Sequence, residues 1–383
     1  MKRFYLLCLL LLTYSITKAQ VIYETISSDK LGESRQIKIQ LPRNYEKNVT
    51  LAYPIIVVLD GDYLFEPVAG NVDFYSYWED MPDAIVVGVM HGDKRADDLY
   101  YGDDGLPSES GAAFFEFMGF ELIPYIEKNY RTEKFKAIVG HENSANYLNF
   151  YLFKDQPLFN AYISLSPRFS DNMTNRVNER LASMQEELNI FYYLATAEND
   201  IKSHKNSIEK FNTALKTIDK ENVSYSYDNF EGGTHYSVVT SGISRAIDNI
   251  FRAYRPITKQ EYKDHILTSE NPYEYLVNKY ETIKNLFGID KRILGNDFRA
   301  IEAALKKKED WESFKLLSKL AKENYPNSVL PFYYMGIHYE EIGEPKKAVK
   351  MFKSGYGQEE IAGITVEMML EKAEAIEIDF GWK

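Results

Sequence analysis

A chain of 383 residues with 45% hydrophobic and 14% aromatic residues is long enough for two domains and apolar enough to build their cores, which excludes global disorder. A formal net charge of −12 excludes nucleic-acid binding through a general electrostatic field, because phosphates would be repelled. One cysteine, Cys8, excludes an intramolecular disulfide.

In chain order, Lys2 and Arg3 give a positive start, Phe4 to Leu12 an apolar run, and Thr17-Lys18-Ala19 a cleavage end, so residues 1–19 are predicted to be an export signal. The run is too short to span a bilayer comfortably, and the mature chain is expected to be exported, periplasmic or cell-surface associated, with no transmembrane span. Cys8 would leave with the signal, so no thiol nucleophile is expected.

Residues 21–41 alternate in two stretches and predict an antiparallel pair joined near Asp29 to Glu33. Ile55 to Leu59 and Ala84 to Val89 are continuous apolar runs of the kind expected for strands covered on both faces. The first run ends at Asp60-Gly61-Asp62; the second ends before a polar loop, His91 to Ser110. Phe114, Phe115, Phe117, Met118, Leu122, Ile123 and Ile126 recur at helical spacing. Lys136 to Val139 reads as a buried strand, Gly140 as a turn, and Ser144 onward as a helix. Two more buried-type strands, Ala161 to Leu165 and Ile190 to Ala195, precede an amphipathic helix over 205–218, an alternating strand over 223–229 and a helix over 241–254. Strands alternating with helices predict an α/β fold, with a mainly parallel sheet and a crevice at the strands' carboxyl ends. From Pro256 no strand-like run appears. Phe332, Met335, Gly336, Tyr339, Gly343, Ala348 and Phe352 fall at tetratricopeptide offsets, with a weaker unit before Pro326, so an all-α domain is expected over 257–383 and an α/β domain over 20–256.

Strand, tight turn and helix around residue 140 form the setting of a nucleophile elbow, in which G-x-S-x-G thrusts a serine hydroxyl above the sheet. The five residues here are Gly140, His141, Glu142, Asn143 and Ser144, so a carboxylate stands where the serine would. Glu198 and Asp200 follow a later strand and His235 follows the last one, in the chain order nucleophile, acid, histidine. A displaced serine such as Ser144 or Ser166 is the alternative nucleophile, and His141 is expected to pack rather than react. His91, Asp93, Asp97, Asp98, Asp103 and Asp104 match no EF-hand spacing and predict a solvated loop whose shape Arg95 holds. Tyr63, Phe65, Tyr75, Tyr77, Trp78, Tyr100 and Tyr101 are aromatics expected around the pocket entrance.

The stretches YPIIVVLDGDYLF, Arg95 to Asp98, FFEFMGFELIPYIEKNYRTEKFKAIVGH, YISLSPRF and GGTHYSVV resemble the putative esterase family of α/β-hydrolases, which includes enterochelin-type esterases and esterase D. The region NYPNSVLPFYYMGIHYEEIGEPKKAVKMF resembles the repeat tail of exported Bacteroidetes members. The resemblance implies an α/β-hydrolase sheet followed by a tetratricopeptide-like domain. It places Glu142 at the nucleophile position, Glu198 or Asp200 as acid, His235 as base, and Gly61 with Asn143 in the oxyanion-hole region. A glutamate attacking an acyl carbon would form an anhydride, and an ionised Glu142 is expected to pair with His235. The expected function is therefore a non-catalytic esterase-like protein that binds a protein partner, or a small ester-like or apolar ligand, through its crevice or helical tail. An active carboxylic-ester hydrolase with a non-standard nucleophile is the competing expectation. Neither cofactor nor metal is expected.

Overall fold

The computed structural model describes residues 21–382; the predicted export signal lies outside the described residues. Eight strands form one sheet: β1 (Val21–Ser28), β2 (Glu33–Gln40), β3 (Tyr53–Val58), β4 (Ile85–Val89), β5 (Thr132–His141), β6 (Ala161–Leu165), β7 (Ile190–Asn199) and β8 (Val223–Thr234), in the order β1-β2-β4-β3-β5-β6-β7-β8. β1 pairs with β2 and β2 with β4 in antiparallel fashion, and every later pair is parallel. All residues of β3, β4 and β6 are buried, as expected of largely apolar strands covered on both faces. The mixed sheet and its flanking helices make an α/β-hydrolase-like fold.

The helices around the sheet are α1 (Phe65–Tyr77), α2 (Glu109–Phe117), α3 (Ile123–Asn129), α4 (Asn143–Tyr147), α5 (Met173–Ala182), α6 (Lys202–Leu215) and α7 (Ser237–Ile250). Between α2 and α3 lies a single π turn, Met118–Leu122. The buried row Phe114, Met118, Leu122 and Ile126 repeats every four residues rather than every 3.6. In a straight α-helix such a row would drift by about 40° per step, and the extra residue of one π turn restores about 100° of it.

α1 takes up aromatics that the sequence suggested for the pocket entrance, and this is a correction. Phe65 is fully buried beneath the sheet's first crossover, where its ring lies against Gly88, while Tyr77 and Trp78 are exposed at the far end of the helix. Of the seven aromatics, Tyr63 reaches the site described below.

The chain divides into two compact units, one of residues up to Trp78 together with Pro82–Ile250, the other of Glu79–Met81 together with Phe251–Lys383. The division falls a few residues before the boundary expected at 256, and it assigns Glu79–Met81 to the helical unit. That unit contains α8 (Pro272–Phe287), α9 (Gly295–Lys308), α10 (Ser313–Asn324), α11 (Leu330–Glu341), α12 (Pro345–Ser354) and α13 (Val366–Asp379). From α10 onward each helix packs on the next. The stripe Phe314, Leu317 and Ala321 of α10 is buried, as are Ala348 and Phe352 of α12. A Cβ on Gly336 would come within 2.4 Å of the Phe352 ring, so the close approach of α11 to α12 requires glycine there.

Candidate active site

Five parallel strands end on one edge of the sheet, and each delivers a polar residue there. Asp60 follows β3, Glu142 follows β5, Ser166 follows β6, Asp200 follows β7 and His235 follows β8. Such an edge is where ligands bind in open α/β sheets.

Glu142 is the only residue between β5 and α4, with φ 61° and ψ −112°. This is a conformation that non-glycine residues seldom adopt and that clusters at functional sites. Gly140 makes the turn possible, because a Cβ there would lie 2.6 Å from the backbone of Ser144. The Glu142 N–H donates to the Leu165 carbonyl (3.1 Å), and its own carbonyl accepts from the N–H groups of Asn146 (3.2 Å) and Arg168 (3.1 Å). The elbow is thus fully formed around a carboxylate.

That carboxylate does not pair with the histidine, contrary to expectation. Its ionic partner is Arg95, at 3.4 Å. Arg95 in turn grips Asp60 through Nε (2.5 Å) and Nη2 (3.1 Å), and Nη2 also donates to the His141 carbonyl (3.4 Å). A permanently charged planar guanidinium outcompetes an imidazole for a flexible carboxylate. Arg95 therefore does not hold the acidic loop, as the sequence suggested, but ties two strand ends together. Burial alone would raise the Asp60 carboxyl, yet the hydrogen bonds and charge of Arg95, with the Ser144 hydroxyl, outweigh it and hold Asp60 below the usual carboxylate range.

The acid is Asp200. Its Oδ1 accepts from His235 Nδ1 (2.8 Å) and from the Ile201 N–H (2.8 Å), and its Oδ2 accepts from Thr196 Oγ1 (2.7 Å). Burial would raise this carboxyl too, but donors from Ser166, Thr196, His235 and Ile201 keep it lowered. Glu198 lies away from the histidine: its Oε2 accepts from the Gly232 N–H (2.7 Å), bracing β8.

Neither displaced serine sits where a nucleophile must. Ser144 is fully buried and donates to Asp60 Oδ2 (2.6 Å) while accepting from the His141 N–H (2.8 Å). Ser166 is also fully buried, 2.7 and 2.8 Å from the two Asp200 oxygens and 2.9 Å from His235 Nδ1. It belongs to the edge of the imidazole that faces the acid. A base takes its proton with the other nitrogen, so the Ser166 hydroxyl stabilises the acid rather than attacking a substrate.

His141 packs over His235 with ring centroids 4.6 Å apart. Burial, and then His235 beside it, hold His141 below the ordinary imidazole range, so it is neutral at pH 7. Its Nε2–H donates to the His235 carbonyl (3.1 Å), which leaves Nδ1 to accept from the Tyr63 hydroxyl (3.1 Å). His141 is thus a positioning residue for the His235 loop. His204, on the first turn of α6, faces the same imidazole edge-on at 5.6 Å, and its Nδ1 is buried with no hydrogen-bond partner among the described residues.

The two residues expected in the oxyanion-hole region differ in their backbone surroundings. Asn143 opens α4, where a first-turn N–H lacks an intrahelical acceptor. The Gly61 N–H, by contrast, already donates to the Val89 carbonyl (2.8 Å), so it cannot serve; its missing Cβ instead allows the close approach to Gly88 and Val89. The acidic loop is only partly solvated. Asp98 and His91 are buried, with Asp98 bonded to His91 Nδ1 (2.7 Å) and clamped by both terminal nitrogens of Arg35.

Asp60, Thr196 and His204 were not identified from sequence. The partners of Asp60 lie far along the chain. The signal His204 offered was only its nearness in sequence to Asp200.

A family model described as putative esterase matches residues 28–238. Among solved structures, the chain is similar to an uncharacterised protein from Capnocytophaga ochracea, with 34% identity over 94% of this chain and 100% of that one, and a TM-score of 0.84. It is similar to an IroE-like serine hydrolase from Shewanella oneidensis at 21% identity, over 79% and 99% of the two chains, with a TM-score of 0.60. It is also similar to the siderophore hydrolase EstB from Aspergillus nidulans at 16% identity, over 61% and 95%, with a TM-score of 0.50. The last two likenesses carry the fold alone. No curated protein matches the sequence.

Proposed function

Since the chain belongs to the putative esterase family, we propose that it is an exported member that has lost acyl transfer and binds through its crevice and helical tail, as a subunit of an envelope or surface complex. One observation carries this reading. The elbow position holds Glu142 tied to Arg95, and the hydroxyl bonded to the His235 ring, Ser166, is buried on the acid side. Acyl transfer needs an alcohol on the base's open side, close to the amides that stabilise the oxyanion. A carboxylate there gives an anhydride at best, and its charge would repel the developing oxyanion.

The tail supports the binding half of the proposal. Its successive packed helices, the Gly336–Phe352 approach and the Gly343 turn (φ 78°) are consistent with tetratricopeptide-like hairpins, whose faces commonly bind peptides. The acid–base half of the site, Asp200 with His235, is retained as a rigid polar wall.

The test has two parts. Short-chain aryl esters should show no turnover above a His235→Ala control, and a fluorophosphonate should label no serine. Turnover abolished by His235→Ala, or labelling of one serine, would establish the competing reading of an active hydrolase. Mild extraction from the native envelope should recover a stoichiometric protein partner, and repeated recovery of a lone monomer would count against the scaffold role.

A further inference from the structure

His204 has no hydrogen bond to the Asp200–His235 pair, yet its ring faces the His235 ring at 5.6 Å. Asp200 lies in the turn between β7 and α6, His204 sits on the first turn of α6, and His235 comes over from the end of β8. One carboxylate oxygen of Asp200 and one ring nitrogen each of His204 and His235 lie within 4.8 Å of one another, and all three residues are at least nine-tenths buried. The buried His204 Nδ1 has no hydrogen-bond partner among the described residues. An unsatisfied imidazole nitrogen is costly in a folded protein, and native structures seldom keep one without a use.

Resting on the reading that His235 no longer serves acyl transfer, we propose that Asp200, His204 and His235 take up one divalent transition-metal ion of the zinc class. Two imidazoles and a carboxylate form the donor set that suits zinc, cobalt or nickel, whereas magnesium and calcium prefer all-oxygen sites. Metal–ligand bonds near 2.0–2.2 Å set tetrahedral donors about 3.3 Å apart, so three groups whose donor atoms already lie within 4.8 Å of one another need only a local adjustment on binding. Each coordinating nitrogen binds through its lone pair. A proton it carries moves to the other ring nitrogen or leaves to solvent, so uptake is accompanied by proton release wherever such a proton is present. The Thr196 and Ser166 hydroxyls, already bonded to Asp200, orient that carboxylate as outer partners of a metal ligand do.

The experiment uses the untagged full chain, stripped with a chelator, dialysed, and titrated with zinc sulfate against a chromophoric competitor; cobalt(II) then reports the ligand set through its visible absorption. One ion per chain is expected, with an intense tetrahedral-type cobalt spectrum. Both His204→Ala and the closer mimic His204→Asn should weaken binding by more than about tenfold. His204→Asn checked by its melting curve guards against a merely unfolded variant. Absence of stoichiometric uptake by the parent chain, or uptake undiminished in folded His204→Asn, would overturn the proposal. Neither readout depends on ester turnover or fluorophosphonate labelling, so this inference can fail while the loss of acyl transfer stands, and the reverse.

Discussion

Replacing Glu142 by glycine should make the protein more stable, although it deletes an ion pair. At φ 61° and ψ −112° a residue with a Cβ bears strain on the order of 1–3 kcal/mol. Glycine accepts that conformation freely but loses about 0.5–1 kcal/mol through the extra freedom of the unfolded chain. The pair with Arg95 is long, at 3.4 Å, with both side chains about 30% exposed, so losing it costs no more than about 0–1 kcal/mol. Glu142→Gly should therefore gain about 1 kcal/mol, a rise of about 2–4 °C in the melting temperature of a unit of this size. Gly140→Ala makes the opposite case on the same turn. Its Cβ would lie 2.6 Å from the Ser144 backbone, so the turn must open, at a cost of about 3 kcal/mol or more. Scanning calorimetry on the full chain, following the transition of the α/β unit, measures both. A loss of more than about 1 kcal/mol in Glu142→Gly would mean that the turn is relaxed and the Arg95 contact dominates, and the view of an inherited elbow would fall.

Four further outcomes are expected. Arg95→Met leaves the buried Asp60 carboxylate without its main cation and should destabilise by about 3 kcal/mol, the low end for a broken buried pair because Ser144 still donates; adding Asp60→Asn should recover part of the loss in urea titrations. Because the folded Asp60 carboxyl is lowered, its stabilisation is complete above the unfolded value near 3.8 and is lost as pH falls through the lower folded value, so Asp60→Asn should flatten the acid limb of the stability curve below about pH 4. In the helical unit, burial pulls Lys291 down to about 8 despite Glu79 and Asp297, and its Nζ donates to the Tyr254 carbonyl at 2.7 Å. Graded acetylation should find it half reactive near pH 8, and stability should rise with pH from about 8 towards 10.5, since the unfolded chain binds the extra proton there; a midpoint near 10.5 would refute this. Gly336→Ala drives a methyl to 2.4 Å from the buried Phe352 ring, and should cost the helical unit about 1–2 kcal/mol net of alanine's better helix propensity.

Much of the sheet was legible because β3 and β4 are nearly unbroken β-branched runs and β6 and the first part of β7 are apolar and aromatic, patterns with few other uses in a chain of this composition. The elbow was legible because Gly140 and the abrupt switch from strand to helix are local. Choosing between Glu198 and Asp200 was not possible, since β7 runs on to Asn199 and only its exact end decides which carboxylate clears the sheet. α1 was hidden by Pro67, Gly70 and a cluster of aromatics that suit loops as well as helices. The partner of Glu142 was out of reach for a different reason. Arg95 is brought to the elbow by β4 and the short helical turn after it, and nothing near residue 142 in sequence announces a guanidinium.

The single π turn at Met118–Leu122 makes the approach to the elbow intolerant of length changes. A one-residue deletion there would turn the segment into an ordinary helix and swing Ile123 and Ile126 by about 100° away from the sheet, exposing greasy surface immediately upstream of β5. Substitutions in that stretch can be absorbed by repacking; indels cannot, so lineages that drift freely in side-chain identity should still keep its residue count fixed.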